Sequence, residues 1–382
     1  VNTRQTPLSV ICEDRPEGIA HHRVAWNALA QQAPFGEWWA GPDWIMPWLE
    51  AYGGNTTWAI HFVYEADRLR GVVPLIVSPK GARGIARFTL PVNSHVRRVG
   101  WLADDPVLIL AAVLRDVRRK HPAAAVALPQ IPRDSTWSMA LQVAAERAGF
   151  QRLHTPQTSS AVAEFADGWS AYVDSRDSKL LRNLRRHWKR LDAANGWRVE
   201  LCEDVAGLSQ AWQAVLSVES RSWKHANSSS IDAEPGAAQL YEQVASCTVQ
   251  RGALRLWTLW QHDLPVAHAL SVLDRGTLYL LKNSYDETFR SSSPGVALVW
   301  HAMEAAAAEG SARVDFLGDA AAWKRPFATT LPAYESWLLF PAWHLGAQWL
   351  RALEYAIKPP IRALRAWRRH RSPAGTATTA TS

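Results

Sequence analysis

Apolar residues recur along the chain with two periods, and the order in which the periods follow one another repeats. Phe35 to Tyr52 gathers six aromatic residues around Gly41-Pro42. This predicts a helix entered through a turn, with Pro42-Asp43 at its start and Gly53-Gly54 after its end. Trp58 to Tyr64 and Leu69 to Val77 follow as two strand-like runs joined by Glu65-Ala66-Asp67-Arg68. The second half returns to this order with a helical stretch from Ala238 to Gln250, a strand from Leu254 to Trp260, a turn from Gln261 to Pro265 and a strand from Val266 to Leu273. Two such blocks predict a duplicated α/β unit. Ala140 to Gly149 reads as a helix closed by glycine, and Gln157 to Phe165 as the passage into the second block. The first thirty residues are weakly patterned, so order is expected from near Trp26.

Beyond the second hairpin, Thr277 to Asn283 reads as a buried strand feeding the polar loop that begins with Tyr285-Asp286. The loop ends in Ser292-Ser293-Pro294-Gly295, and an alanine-rich helix from Val296 to Glu309 follows. Serine as N-cap with proline in the first turn is a helix-start signature, and the unpaired amides of such a start suit an anionic group. Helix starts of this kind also occur without any ligand. Ala312 to Leu317 is a second short strand broken by Gly318-Asp319; Trp323-Lys324-Arg325-Pro326-Phe327 and a last apolar run, Ser336 to Phe340, complete the block.

With Trp223-Lys224, the two apolar runs Leu254 to Trp260 and Val266 to Leu273, Tyr285-Asp286, Ser293-Pro294-Gly295, Asp315 with Gly318, and Trp323-Lys324, the chain resembles the GNAT-fold acyltransferases related to the cellulose-biosynthesis protein CelD, which are similar to the Fem peptidyltransferases. The resemblance covers residues 170–340 well and the N-terminal part loosely. It implies an α/β fold of tandem GNAT-like (acyl-CoA N-acyltransferase) mixed sheets flanked by helices. The expected division is a degenerate unit over 26–155, a catalytic unit over 160–340, basic amphipathic helices over 341–371 and a disordered tail over 372–382. Acyl-CoA, acetyl-CoA in the simplest case, is the implied co-substrate. Its pyrophosphate would rest on Ser292, Ser293, Pro294 and Gly295, although ordinary GNAT phosphate motifs are richer in Gly and Arg. Lys324 would bind phosphate or stabilise developing negative charge, and Trp223, Lys224 and Tyr285 would line the substrate side. The family's association with exopolysaccharide and envelope synthesis suggests an amine on a small or glycan-linked acceptor.

The residues themselves leave alternatives. Glu219 stands four positions before Trp223 on one helix face and is either a proton acceptor or a surface ion pair. Asp286 is an acid/base candidate or a turn cap. Asp315, flanked by apolar residues, is either functional or hydrogen-bonded to backbone. Ser178 to Leu191 forms a helix with Leu180, Leu181, Leu184, Trp188 and Leu191 on one side and Arg182, Arg185, Arg186 and Lys189 largely on another. Those cations are a solvated face or the contact for a polyanion, which in a Fem-like reading is aminoacyl-tRNA. His268 in its apolar strand reads as a core histidine.

Composition narrows the field further. At 382 residues, 48% hydrophobic and 20% charged, the chain is long enough for two globular cores. Its 21 tryptophans serve either cores or binding surfaces. Cys12, Cys202 and Cys247 are far apart and, with no Cys/His grouping, predict neither disulfide framework nor metal site. Of the net charge of +7, six come from Pro341 to Ser382, where seven Lys or Arg face only Glu354. That tail, with Trp343, Trp349 and Trp367, suits either docking on the protein or contact with anionic lipid. No run reaches the roughly 18 to 20 apolar residues of a membrane span, and Val1 to Gly18 lacks a hydrophobic leader, so the expected place is the cytoplasm, peripheral to the inner membrane face if the tail binds lipid. No H-E-x-x-H, G-x-S-x-G, Walker or dinucleotide motif is present. A non-catalytic, glycan-binding or membrane-docked component of an assembly complex is the competing class.

Overall fold

In the computed structural model, residues 7–34, 38–78, 86–93, 98–193, 196–226, 230–231, 233–234, 236–345 and 348–349 are described. The first half runs β1 (Leu8–Glu13), α1 (Pro16–Gln32), α2 (Pro42–Tyr52), β2 (Thr57–Glu65), β3 (Arg68–Ser78), β4 (Arg87–Thr89), β5 (Leu102–Ala103), α3 (Pro106–Lys120), β6 (Ala125–Pro132), α4 (Thr136–Ala148) and β7 (Phe150–Ser159). The second runs β8 (Val162–Glu164), α5 (Gly168–Asp174), α6 (Ser178–Ala193), β9 (Trp197–Cys202), α7 (Val205–Ser220), α8 (Trp223–Ala226), α9 (Ala237–Val249), β10 (Leu254–Gln261), β11 (Leu264–Asp274), β12 (Thr277–Tyr285), α10 (Pro294–Ala308), β13 (Arg313–Asp315) and β14 (Ala333–Pro341).

Two mixed sheets result, ordered β1-β2-β3-β4-β6-β14-β7 and β9-β10-β11-β12-β13-β8, with β5 off the first path. The repeat read from the sequence holds at the level of topology. In each sheet three antiparallel steps lead to one parallel pair, β4 with β6 and β12 with β13; beyond it the first sheet adds two antiparallel strands, β14 and β7, and the second adds one, β8. One strand crosses between the halves. β14, from the end of the second half, lies between β6 and β7 in the first sheet, and β8, which follows the first half, pairs with β13 in the second. The last apolar run, expected in the 160–340 unit, therefore completes the other sheet.

The early residues are also more ordered than their pattern predicts. β1 pairs along β2, and α1 buries only Ile19, Trp26 and Leu29. Three contacts on one face are too few to show as a period. Most of the surplus tryptophan goes into packing: Trp26, Trp38, Trp39, Trp44, Trp48 and Trp101 are buried in a core that continues across to Leu240, Tyr241, Leu270 and Tyr279 of the second half. Trp39 meets the edge of Tyr279 at 4.5 Å between ring centroids. A second core lies on the far face of the second sheet, under α5, α6 and α10. No helix among the described residues is long and apolar enough to cross a membrane. Of the predicted basic tail, Trp343 and Leu345 are exposed, while nearly all of 346–382 lies outside the described residues.

Candidate active site

The geometry begins with a strand irregularity. The β11/β12 register shifts between Leu270 and Ser271, leaving Leu281 as the extra residue on β12. Such a bulge bends its strand and increases twist. On the other edge of β12, β13 pairs only with Thr277 to Tyr279. From Leu280 to Tyr285 that edge has no strand alongside among the described residues, so β12 and β13 part into an opening.

Three lysines and one buried carboxylate surround the opening. Glu219, near the end of α7, is fully buried, which excludes the surface ion pair considered from sequence. It accepts from Ile231 N–H at 3.1 Å and lies 3.0 Å from His268 Nε2 and 3.8 Å from Lys224 Nζ. Burial raises its pKa, but the His268 bond and the Lys224 charge outweigh that and hold it at about 2. His268 is pushed below the usual histidine range by burial, against the pull of Glu219. Neutral at pH 7, it donates from Nε2 to the carboxylate. Lys224 is lowered by burial despite Glu219, and its ammonium donates to Asn283 O at 2.5 Å, fixing the β12 side. Lys282 follows the bulge. Burial and then the Lys224 charge bring it down to about 8, and it lies within electrostatic reach of Lys324 as well. Lys324 donates to Phe316 O at 3.0 Å and Leu317 O at 2.6 Å, where Leu317 and Gly318 take positive φ. It thus holds the backbone turn on the β13 side.

Other expected residues have different positions. Asp286 caps the 3-10 turn Glu287–Ser292, accepting from Thr288 N and Oγ1, while Arg221 Nε donates to its second oxygen at 2.5 Å. Burial raises it, but these bonds hold it below the ordinary carboxylate range, and in the fold it caps the turn. Asp315 accepts from Arg98 Nη1 at 2.5 Å, from Leu317 N–H at 2.9 Å and from Ser160 Oγ at 3.3 Å. Arg98 itself lies over the rings of Tyr334 and Trp39. The carboxylate therefore ties the end of β13 to the first half.

Ser293 is the N-cap of α10, but its backbone is left-handed and its side chain caps nothing. Val296 and Ala297 N–H return to Ser293 O, and Pro294 has no N–H, which leaves Gly295 N–H for an outside acceptor. A Cβ on Gly295 would stand 3.0 Å from the Tyr285 ring, so this turn admits only glycine without a shift. Ser292 and Ser293 are half-buried beside it, and Arg190 reaches in from α6 to donate to Ser291 O at 2.7 Å. Trp223 is 47% exposed next to Lys224. Arg182, Arg185 and Arg186 are exposed on α6, whose apolar side packs into the core under α10. The structure thus brings Glu219, Lys224 and Lys324 to one opening and adds Lys282 and His268, which the sequence reading did not select. A lysine directly after the apolar run Leu278 to Leu281, still within the strand, was the available signal. No group of three potential metal ligands occurs among the described residues.

Residues 178–325 match the family model described as Acetyltransferase (GNAT) domain. Among solved structures, FemX superposes with a TM-score of 0.57 at 12% identity over 87% of this chain and 98% of its own. A conserved protein of unknown function from Bacteroides thetaiotaomicron gives 0.55 at 11% identity, covering 87% and 100%. The C-terminal domain of a putative lysylphosphatidylglycerol synthetase from Agrobacterium fabrum gives 0.54 at 11%, covering 87% and 96%. No curated protein matches the chain. At these identities the structural likenesses establish the fold alone, and with the family match they show a chain of two GNAT-like mixed sheets that carries an acetyltransferase (GNAT) domain at residues 178–325.

Proposed function

We propose that the opening between β12 and β13 is the donor channel of an N-acyltransferase. It would move an acyl group from acyl-CoA, or another thioester carrier, to an amine on a small or glycan-linked acceptor. The supporting observation is the three-residue pairing of β12 with β13 followed by divergence beside Lys224, Lys282 and Lys324. In this reading the free edge of β12 pairs with the carrier's amides, while Ser292, Ser293, Gly295 N–H and Arg190 hold its phosphates. The acceptor nitrogen attacks the thioester carbonyl, Lys282 in its neutral form takes the amine proton, and Lys224 stabilises the oxyanion. Collapse of the tetrahedral intermediate expels the carrier thiolate, which receives a proton. Glu219 and His268 position Lys224, Lys324 shapes the channel wall, and Trp223 and Tyr285 contact substrate. The first unit would be non-catalytic, and the exopolysaccharide or envelope setting of CelD relatives belongs to this proposal too.

The test is release of free CoA thiol from acetyl-CoA and longer acyl-CoAs across a panel of amines, together with thermal stabilisation by each carrier. Carrier-dependent stabilisation and amine-dependent thiol release in the native chain are expected, with the release lost in Lys224→Met. No stabilisation by any acyl-CoA would overturn the CoA reading. A second reading, transfer from aminoacyl-tRNA, draws on the exposed Arg182, Arg185 and Arg186 of α6 and on the fold shared with FemX. It requires tRNA binding that weakens steeply with salt and with replacement of those arginines.

A further inference from the structure

Away from that opening, on the far side of the second sheet, α5, α6 and α10 enclose a groove of about 620 Å³. Its walls include Leu181, Leu184, Trp188 and Trp300, and Arg185 and Lys189 stand at its rim. Both cations are exposed, and neither forms an ion pair or hydrogen bond among the described residues. The one carboxylate in the lining, Glu304, accepts from the Trp169 indole at 3.3 Å. An apolar trough with unneutralised cations along one edge complements an amphiphile with an alkyl body and an anionic head.

The geometry points to this groove as a binding site for an anionic membrane lipid, its chain along Leu181 and Leu184 and its phosphate on Arg185 and Lys189. The chain's own C-terminal segment is a poor occupant, because its seven Lys or Arg would face the cations of α6. Stacked nucleic-acid bases fit less well than an alkyl chain. Trp169 is already stacked on Tyr172 and packed against Trp300, and Trp188 meets His301, so these rings have neighbours within the protein.

The test uses the full chain with vesicles of phosphatidylcholine alone and with part of it replaced by phosphatidylglycerol. Binding is expected only to the second kind, and the double variant R185Q/K189Q should bind about 25-fold more weakly, roughly fivefold for each charge removed. Lysophosphatidylglycerol should compete, whereas glycerol phosphate, which lacks the chain, should not. Leu181→Glu should abolish binding while far-UV circular dichroism and melting temperature show it folded; if it does not fold, competition by the lysolipid decides. Unchanged vesicle binding in R185Q/K189Q would overturn the proposal, as would equal competition by glycerol phosphate. So would tRNA binding that depends on Arg185 and Lys189 while vesicle binding does not.

Discussion

Lys282 holds its buried ammonium over the Tyr241 ring, 5.3 Å from its centroid, and the free energy of doing so is expressed in its acidity. With its pKa down at about 8, a substantial neutral fraction exists near physiological pH. If it takes the acceptor's proton, kcat/KM for transfer should rise with pH along an ionisation near 8, and Lys282→Met should remove that limb and cost about 10²- to 10⁴-fold. His61 gives a stability counterpart in the first unit. It is 2% exposed, and burial lowers its pKa to about 4, against the pull of Asp116. A histidine lowered in the folded state contributes stability that is complete above its unfolded pKa near 6.5 and is lost as pH falls through 4. The integrated loss is about 3 kcal/mol. Urea unfolding at pH 7.5 and 4.5 should show that drop in the native chain, with a smaller one in His61→Leu. The variant isolates His61 from His187, His268 and His301, which burial also lowers.

At the scale of elements, the hairpins were legible because their period of two, their turn residues and their flanking helices agree. β2 with β3 and β10 with β11 form as the pattern predicts. The bulge and the parting of β12 from β13 were not legible, because a bulge adds one apolar residue to an apolar run and β13 is only three residues long. Candidate residues divide on the same ground. Glu219 was selected by its position on a helix and Lys224 through the family resemblance, whereas Asp286 and Asp315 were selected as carboxylates near the site, and only the folded structure shows both engaged in structural bonds. Gly236 makes the close approach of α9 to α2 testable. Its φ is +86°, and a Cβ there would stand 2.7 Å from Ala51 O. Gly236→Ala should destabilise the protein by about 1 to 3 kcal/mol in urea unfolding, with little change in carrier affinity.

For the whole molecule, the placing of β14 in the first sheet and the shared core predict that the two units unfold together. One calorimetric transition with equal van't Hoff and calorimetric enthalpies is expected, despite two sheets. Arg98 and Asp315 reinforce that coupling, since their side chains are 9% and 4% exposed. Arg98→Met would leave the carboxylate buried without its cation and should cost about 3 to 5 kcal/mol by equilibrium unfolding, with Arg98→Met/Asp315→Leu milder than the single change. Sequence showed the duplication but not the crossing of β14, because the choice of partner strand is made by residues nearly two hundred positions apart.

That crossing also sets a timetable for synthesis. β7 pairs in its sheet only with β14 among the described residues. Until Ala333–Pro341 has left the ribosome, the nascent first unit has a gap between β6 and β7, and two strand edges remain open to any chaperone or neighbouring chain that reaches them first.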